Sequence, residues 1–265
     1  LNAFNAYQPN FVEVPTDNGG LIPEELDKIL ETTPNCKFIY VIPDFQNPTG
    51  RTWSLERRQK FMEVVNKHNL PVLEDNPYGE LRYEGTILPS LKSMDTKGLV
   101  MFLGTFSKIF CPGLRLGWIA AEHSLLSEFV KIKQSADLHT SNFDQGVADA
   151  YMEAYDLDEH VKEIVALYKH RRDLILESME KYFPAGTEWT HPEGGLFLWL
   201  TFPEGVSARK VFNKCIEMKV AGVIGDAFYP NQKTDRSMRI NYSNMPDDRI
   251  VEGIQRMAKA IKECM

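Results

Sequence analysis

The chain has 265 residues, is 43% hydrophobic and carries a net charge of −7. That length and apolar content allow a sizeable core and more than one domain. The basic residues are dispersed, which argues against a nucleic-acid surface, and no unbroken apolar stretch is long enough to span a membrane.

In chain order, the opening LNAFNAYQPN has neither the charged nor the apolar region of a signal peptide. It lacks an initiator Met and starts in mid-pattern, so a fragment of a longer chain is expected. DNGG (17–20) before LIPEEL reads as a turn leading into a helix. KFIYVIP (37–43) is β-branched, aromatic and almost uncharged, which predicts a buried strand. SLERRQKFMEVVNKH (54–68) predicts a helix, with Ser54 as N-cap and Phe61, Val64 and Val65 facing inward. LPVLE (70–74), GLVMFLG (98–104) and RLGWIAA (115–121) predict three further strands. Strand, helix, strand with such apolar strands points to an α/β fold with a mostly parallel sheet covered on both faces.

From about Ser124 the pattern turns helical: SLLSEFVKIKQ, then a long amphipathic segment from Leu157 to Tyr182. The last third mixes strands, GLFLWLTF (195–202) and SMRINYS (237–243), with helices, SARKVFNKCIEMK (207–219) and DRIVEGIQRMAKAIKEC (248–264). The expected division is a large domain over 1–150 and a smaller α+β domain over 151–265. Cys36, Cys111, Cys215 and Cys264 lie far apart without CxxC spacing, so reduced thiols in a cytoplasmic protein are expected. The histidines are scattered without metal-ligand spacing, so no metal site is expected.

In a parallel sheet the C-terminal strand ends share one edge, and that edge holds ligands. Behind the first strand comes DFQNPTG with Asn47; behind the second, DNPY with Asp75 and Tyr78; behind the third, TFSK with Thr105, Ser107 and Lys108, and then Arg115. Singly, each has an ordinary reading: NPTG is a good turn, DNPY a loop closing on a helix, Arg115 the partner of a surface carboxylate. Their order at successive strand ends points to a set.

A lysine amine can form a Schiff base with an aldehyde when burial or nearby positive charge lowers its pKa. Pyridoxal phosphate supplies such an aldehyde and an electron sink. Asp75 suits its pyridine nitrogen, and Tyr78 and Asn47 its 3′ oxygen. Thr105, Ser107 and Arg115 suit the phosphate, the arginine as a bidentate fork. Lys108 is the expected Schiff-base lysine.

At NPTG (47–50), DNPY (75–78), SKIFCPGLRLGW (107–118) and MRINYS (238–243) the chain resembles the class I/II aminotransferases, pyridoxal phosphate enzymes of fold type I. IPDFQNPTG, KQSADLHT (133–140) and HPEGGLFLWL (191–200) resemble the subgroup of 2-aminoadipate and kynurenine/aromatic aminotransferases. The resemblance runs over essentially the whole chain. It implies that Arg239 binds the substrate α-carboxylate with Asn47 beside it, and that Gly195 approaches the substrate as backbone. A surface pair with Asp235 is the ordinary alternative for Arg239. The resemblance also implies an amino acid and a 2-oxo acid as substrates, and a homodimer.

A Gly/Ser phosphate loop and a ring stacking on the pyridine would come from a segment preceding these residues, so an N-terminally truncated large domain is expected. Two other readings stay open on the same scaffold: a C–S lyase, and the sensor domain of a helix-turn-helix transcription regulator. Phe197 and Trp199 suit aromatic or long aliphatic substrates, although alternating apolar residues in a strand more often face a core.

Overall fold

Helix capping follows from the sequence in a chain organised by two four-stranded sheets. The computed structural model describes residues 2–231 and 234–265. The N-terminal part holds α1 (Asn2–Asn5), a hairpin of β1 (Thr16–Asp17) and β2 (Gly20–Leu21), α2 (Pro23–Thr32), β3 (Ile39–Val41) and α3 (Leu55–His68). Next come β4 (Val72–Asp75), α4 (Leu91–Met94), β5 (Val100–Thr105) and β6 (Gly117–Ala120). Three helices follow, α5 (His123–Ala136), α6 (Asn142–Ala154) and α7 (Leu157–Tyr182). The chain closes with β7 (Glu188–Trp189), β8 (Phe197–Thr201), α8 (Ala208–Glu217), β9 (Val223–Ile224), β10 (Ser237–Asn241) and α9 (Asp247–Cys264).

The first sheet has the order β3-β4-β5-β6. β3, β4 and β5 run parallel, and β6 returns antiparallel to β5. Ser54 caps α3 by accepting the Arg57 N–H, and Asn69, at φ 51°, ends it in the left-handed conformation. Phe61 and Val65 of α3 join Leu26, Ile39, Val41, Val72 and Val100 in one core, with Val64 packed at its margin. This covers one face of the sheet. The other face carries Tyr40, Leu73, Asp75 and Met101. There Phe38 and Tyr40 are exposed, while Met101 in the same row is buried. Aromatic pairs form on both faces: Phe4 of α1 meets Phe38 and Tyr40 edge-on on this one, and Phe102 stacks on Trp118 on the side shared with Val41 and Glu74. β3 and β4 alternate in burial, although their composition reads as buried throughout, whereas β5 is buried at its start and half-buried beyond it.

The second sheet, β7-β8-β10-β9, is antiparallel. Leu198 and Leu200 of β8 are fully buried against Ile250, Ile254, Met257 and Ile261 of α9, whose i, i+4, i+7, i+11 spacing makes one apolar stripe. Truncating Leu198 to Ala should cost about 2–5 kcal/mol. Ile175 and Met179 of α7 also belong to this core. One turn earlier and more, Ile164, Val165 and Tyr168 of α7 pack elsewhere, against Phe45, Tyr78, Leu81, Leu196 and Phe197. That third cluster joins the loops of the first sheet to the start of β8 and positions the site.

The hairpin, α6, and the two-residue strands β7 and β9 carry no periodicity that the sequence reading could use. All four cysteines are free thiols, and burial pushes Cys215 up to about 12. Among the described residues no helix is long and apolar enough to cross a membrane.

Candidate active site

Because β3, β4 and β5 are parallel neighbours, their C-terminal ends lie side by side, about 4.8 Å apart per strand. Asn47 follows β3, Asp75 ends β4, and Lys108 follows β5. The structure thus brings the three expected strand-end groups to one edge. The loop with Asn47 is held from below by Arg58, a fully buried residue of α3. Its guanidinium donates to Asp44 Oδ1 at 2.7 Å, to the Trp53 carbonyl at 3.2 Å and to the Pro89 carbonyl at 3.1 Å. The Asn47–Pro48 peptide is cis. Gly50, at φ 70°, lies so close to the Phe197 carbonyl that a Cβ would collide with it. The NPTG turn therefore docks directly on β8.

The end of β4 carries two carboxylates with different roles. Glu74 is fully buried and accepts the N–H groups of Leu91 and Lys92, each at 2.8 Å, which fixes it to the start of α4. Asp75 points to the other face, as strand alternation requires. It accepts a 2.6 Å hydrogen bond from the Tyr40 hydroxyl. Burial raises the Asp75 pKa and the Tyr40 bond only partly offsets this. Burial, then the bond to Asp75, also pushes the Tyr40 phenol well up. Tyr78 is buried, and its ring meets Phe197 edge-on at 5.9 Å. Burial and the Asp75 charge push its phenol up to about 12, against Arg239 and a hydrogen bond with Asn47. It remains a hydroxyl donor at neutral pH.

Lys108 is half-buried on a loop tied at its base. Thr105 Oγ1 donates to the Leu116 carbonyl at 3.1 Å, and the Phe106 N–H donates to the same oxygen at 3.2 Å. Thr105 Oγ1 also accepts the Ser107 N–H at 3.1 Å and lies 3.0 Å from Ser107 Oγ. The two hydroxyls thus stand together one residue before Lys108. Ile109, the next residue, packs on the Phe45–Tyr78–Phe197 cluster. Arg115 is exposed at φ 55°, and its side chain donates to the Pro112 carbonyl at 3.1 Å.

Arg239 sits in mid-strand on β10, paired in register with Trp199 of β8 and Val223 of β9. Its Nη1 donates to Asn47 Oδ1 at 2.7 Å across the gap between the sheets. Its guanidinium carbon lies 4.1 Å from the Phe197 ring centre and 5.0 Å from that of Phe228. Burial lowers its pKa, and the Tyr78 hydroxyl opposes this. The surface pair considered for it does not form: Asp235 instead accepts from Ser207 Oγ and the Arg209 N–H, and Arg236 donates to the Phe202 carbonyl. Among the described residues no carboxylate lies within ion-pair distance of Lys108, Arg115 or Arg239.

Gly195 has a packing role of its own. It stands at φ 74°, where an added Cβ would come within 2.6 Å of Phe45 Cβ. Its N–H donates to the Leu81 carbonyl at 2.8 Å, and its own carbonyl accepts from the hydroxyls of Tyr83 and Tyr242. Two contributors escaped the sequence reading. Tyr40 looks like one more aromatic strand residue, and only the β3-β4 register brings it to Asp75. Phe228 lies outside every periodic segment.

This donor set suits pyridoxal phosphate. A poorly solvated carboxylate with no Lys, Arg or His partner can hold a protonated ring nitrogen. Paired hydroxyls with an exposed guanidinium nearby can hold a phosphate, and a half-buried amine lies beside them. Among the described residues no three His, Cys, Asp or Glu groups converge as a metal site does.

Comparison with known proteins points the same way. The family profile of aminotransferase class I and II matches residues 1–257. Aromatic-amino-acid aminotransferase 1 of Thermococcus litoralis is 42% identical over 100% of this chain and 64% of its own length. A crystal structure of Pyrococcus horikoshii kynurenine aminotransferase superposes with a TM-score of 0.95 at 41% identity, covering 99% of this chain and 66% of that one. The structure of LysN, the alpha-aminoadipate aminotransferase of Thermus thermophilus complexed with N-(5′-phosphopyridoxyl)-L-leucine, gives 0.92 at 32% identity, covering 99% and 68%. The chain spans about two thirds of the length of these relatives.

Proposed function

The chain belongs to the class I and II aminotransferases, and on that premise we propose that it moves an amino group from an L-amino acid to a 2-oxo acid with pyridoxal phosphate as cofactor. The observation that carries this reading is a single apolar cluster, Phe45, Tyr78, Leu81, Leu196 and Phe197, on which the Lys108 loop, the phenol next to Asp75 and the Arg239 pocket all converge. When bound, the cofactor would supply an electron sink for the pair left at the substrate α-carbon.

The chain's own groups do the rest. Arg239 holds the α-carboxylate through N–H donors that no acid occupies, and Asn47 fixes the guanidinium from one side. The Lys108 amine takes the proton from the substrate α-carbon as general base and, as general acid, would deliver it to the carbon that carries the cofactor's aldehyde function. Asp75 keeps the ring nitrogen protonated, because its carboxylate gains from a cation what burial costs it. Tyr78 and Asn47 hydrogen-bond the ring oxygen. Thr105, Ser107 and Arg115 hold the phosphate. Aromatic amino acids or 2-aminoadipate are the donors best supported by the named relatives and by Phe197, Phe228 and Trp199 around Arg239. A homodimer belongs to the same reading, supported by the apolar surface that α5, α6 and their flanks leave exposed at Ile132, Leu138, Phe143 and Tyr155.

The test is a visible absorption spectrum of the 265-residue chain with pyridoxal phosphate, before and after an aromatic amino acid. A band that Lys108→Ala removes and the amino acid shifts is expected; a spectrum identical in Lys108→Ala overturns the assignment. Product analysis then separates transfer, which makes a new amino acid from 2-oxoglutarate, from a C–S lyase, which makes ammonia and pyruvate from cystathionine.

A further inference from the structure

We propose that Phe228 is a positioning residue that holds the Arg239 guanidinium in its binding orientation without consuming any of its N–H donors. The proposal rests on the reading of Arg239 as the carboxylate-binding residue. A half-buried guanidinium with no acid partner is costly, yet Arg239 has none among the described residues. The structure compensates the cation with neutral groups only. Asn47 Oδ1 takes one N–H at 2.7 Å. The rings of Phe197 and Phe228, at 4.1 Å and 5.0 Å, attract the charge through their quadrupoles. An acid would hold the cation more strongly, but in the guanidinium plane, where it would compete with a ligand carboxylate. An aromatic face acts from outside that plane and leaves the fork of donors open.

Phe228 is itself held in place for this. It is the last residue of the short 3-10 helix Gly225–Phe228. Asp226 of that helix accepts the Asp235 N–H at 3.1 Å, which ties it to the approach to β10. On its other side Phe228 meets Trp199 edge-on, with centres 5.7 Å apart, and Trp199 is the β8 residue paired with Arg239. Trp199, Phe228, Arg239, Phe197 and Tyr78 therefore form one continuous series of ring and guanidinium contacts, from the second sheet to the end of β4. The series links the orientation of the carboxylate receptor to the phenol beside Asp75.

The test uses 3-phenylpropanoate, a carboxylate with no amino group to react, titrated calorimetrically into the 265-residue chain. The wild-type chain is expected to bind it, and Arg239→Lys to lose most of that binding. Phe228→Leu should weaken binding about fivefold to thirtyfold, the range of a partly desolvated cation–π contact, and Phe228→Tyr should restore it. Pentafluorophenylalanine at position 228 keeps the shape and reverses the ring quadrupole. It should weaken binding as leucine does, and it serves if the leucine variant fails to fold. Loss with Arg239→Lys but unchanged binding with pentafluorophenylalanine overturns the role of Phe228 and leaves the carboxylate reading intact. Unchanged binding with Arg239→Lys, or no saturable binding by the wild-type chain, overturns both.

Discussion

The parallel strand ends and the middle of β10 supply the two halves of the site by different means. At the parallel edge, Asn47, Asp75 and Lys108 stand where strands give way to loops, and each is fixed by local hydrogen bonds: Arg58 under the Asn47 loop, Tyr40 on Asp75, Thr105 on Leu116. Arg239 stands inside an antiparallel ladder with β8 on one side and β9 on the other, and its head is fixed by neighbours on three different segments. Loop-borne groups at a strand edge can converge on a ligand from several directions. A mid-strand residue offers one direction only, but its backbone is as rigid as the sheet. The first arrangement suits a cofactor gripped at ring, phosphate and aldehyde; the second suits one carboxylate that must always arrive at the same place.

Lys108→Ala is the severest way to break the parallel half. On the proposed role it removes the base and the acid together, and amino-group transfer should then fall by at least about 10²–10⁴-fold. Single-turnover kinetics with added primary amine checks this, because partial rescue by a small amine would show that only the proton carrier is missing. Substantial turnover in the unrescued variant would put the chemistry elsewhere.

Arg239→Lys breaks the other half more gently. A point charge replaces a planar fork, and the loss of a charge-assisted pair of hydrogen bonds should raise KM about 10–100-fold. A comparable fall in kcat at saturating substrate would mean that Arg239 acts in the transition state, not in binding. The contrast between the two variants, kcat for Lys108 and KM for Arg239, is what the two-halves picture requires.

Asp95 tests whether order at the parallel edge depends on the far end of β5. Burial works to raise its pKa, but the N–H groups of Val100 and Leu99, the Lys92 amine and the Lys97 N–H together hold it below the usual carboxylate value. Its folded value lies below its unfolded one. The stability it contributes is therefore present above the unfolded pKa of about 3.9 and is lost as pH falls through the folded value. Asp95→Asn should cost about 1–3 kcal/mol at pH 7. Urea unfolding at pH 7 and at pH 2 checks it, because the difference from wild type should shrink at the lower pH.

The two halves were also unequally legible in the sequence. The edge residues were readable because each follows an apolar run of strand length, and a parallel sheet puts such followers side by side. The helix 54–68 and the segment 157–182 were readable from a cap and a stripe, and they form as α3 and α7 with nearly the same ends. Arg239 lay on a correctly expected strand, but its role came from resemblance alone, since nothing in SMRINYS says that the neighbouring acid will turn away to Ser207. Phe228 could not be read at all: a one-turn helix between a two-residue strand and a loop has no period. The exposure of Phe38 and Tyr40 was hidden for a related reason. Phe38 and Tyr40 are as apolar as core residues, and composition alone does not say which side of a strand is buried.

Tyr40 is the part of the parallel half that the sequence concealed, and its removal is the smallest and sharpest test of how that half is tuned. Among the described residues, the Tyr40 hydroxyl is the one side-chain donor that lowers the Asp75 pKa, against a larger upward push from burial. With Tyr40→Phe, the folded-state pKa of Asp75 should rise further above its unfolded value. A carboxyl raised in this way contributes stability that is full below the unfolded pKa and is lost as pH rises through the folded one. The variant should therefore be less stable than wild type at pH 7 and nearly equal to it at pH 3. The expected cost is about 0.5 kcal/mol, near the lower end for a hydrogen bond, because Tyr40 is 38% exposed. Carboxyl resonances followed by NMR across the same range would report the shift directly. A pKa that stays put would mean that solvent, not Tyr40, sets the charge of Asp75, and that the parallel edge is tuned by its openness more than by its hydrogen bonds. A pKa that rises would mean that Asp75 holds its charge with help from this phenol, the same help that the proposed reading assigns to a protonated ring nitrogen.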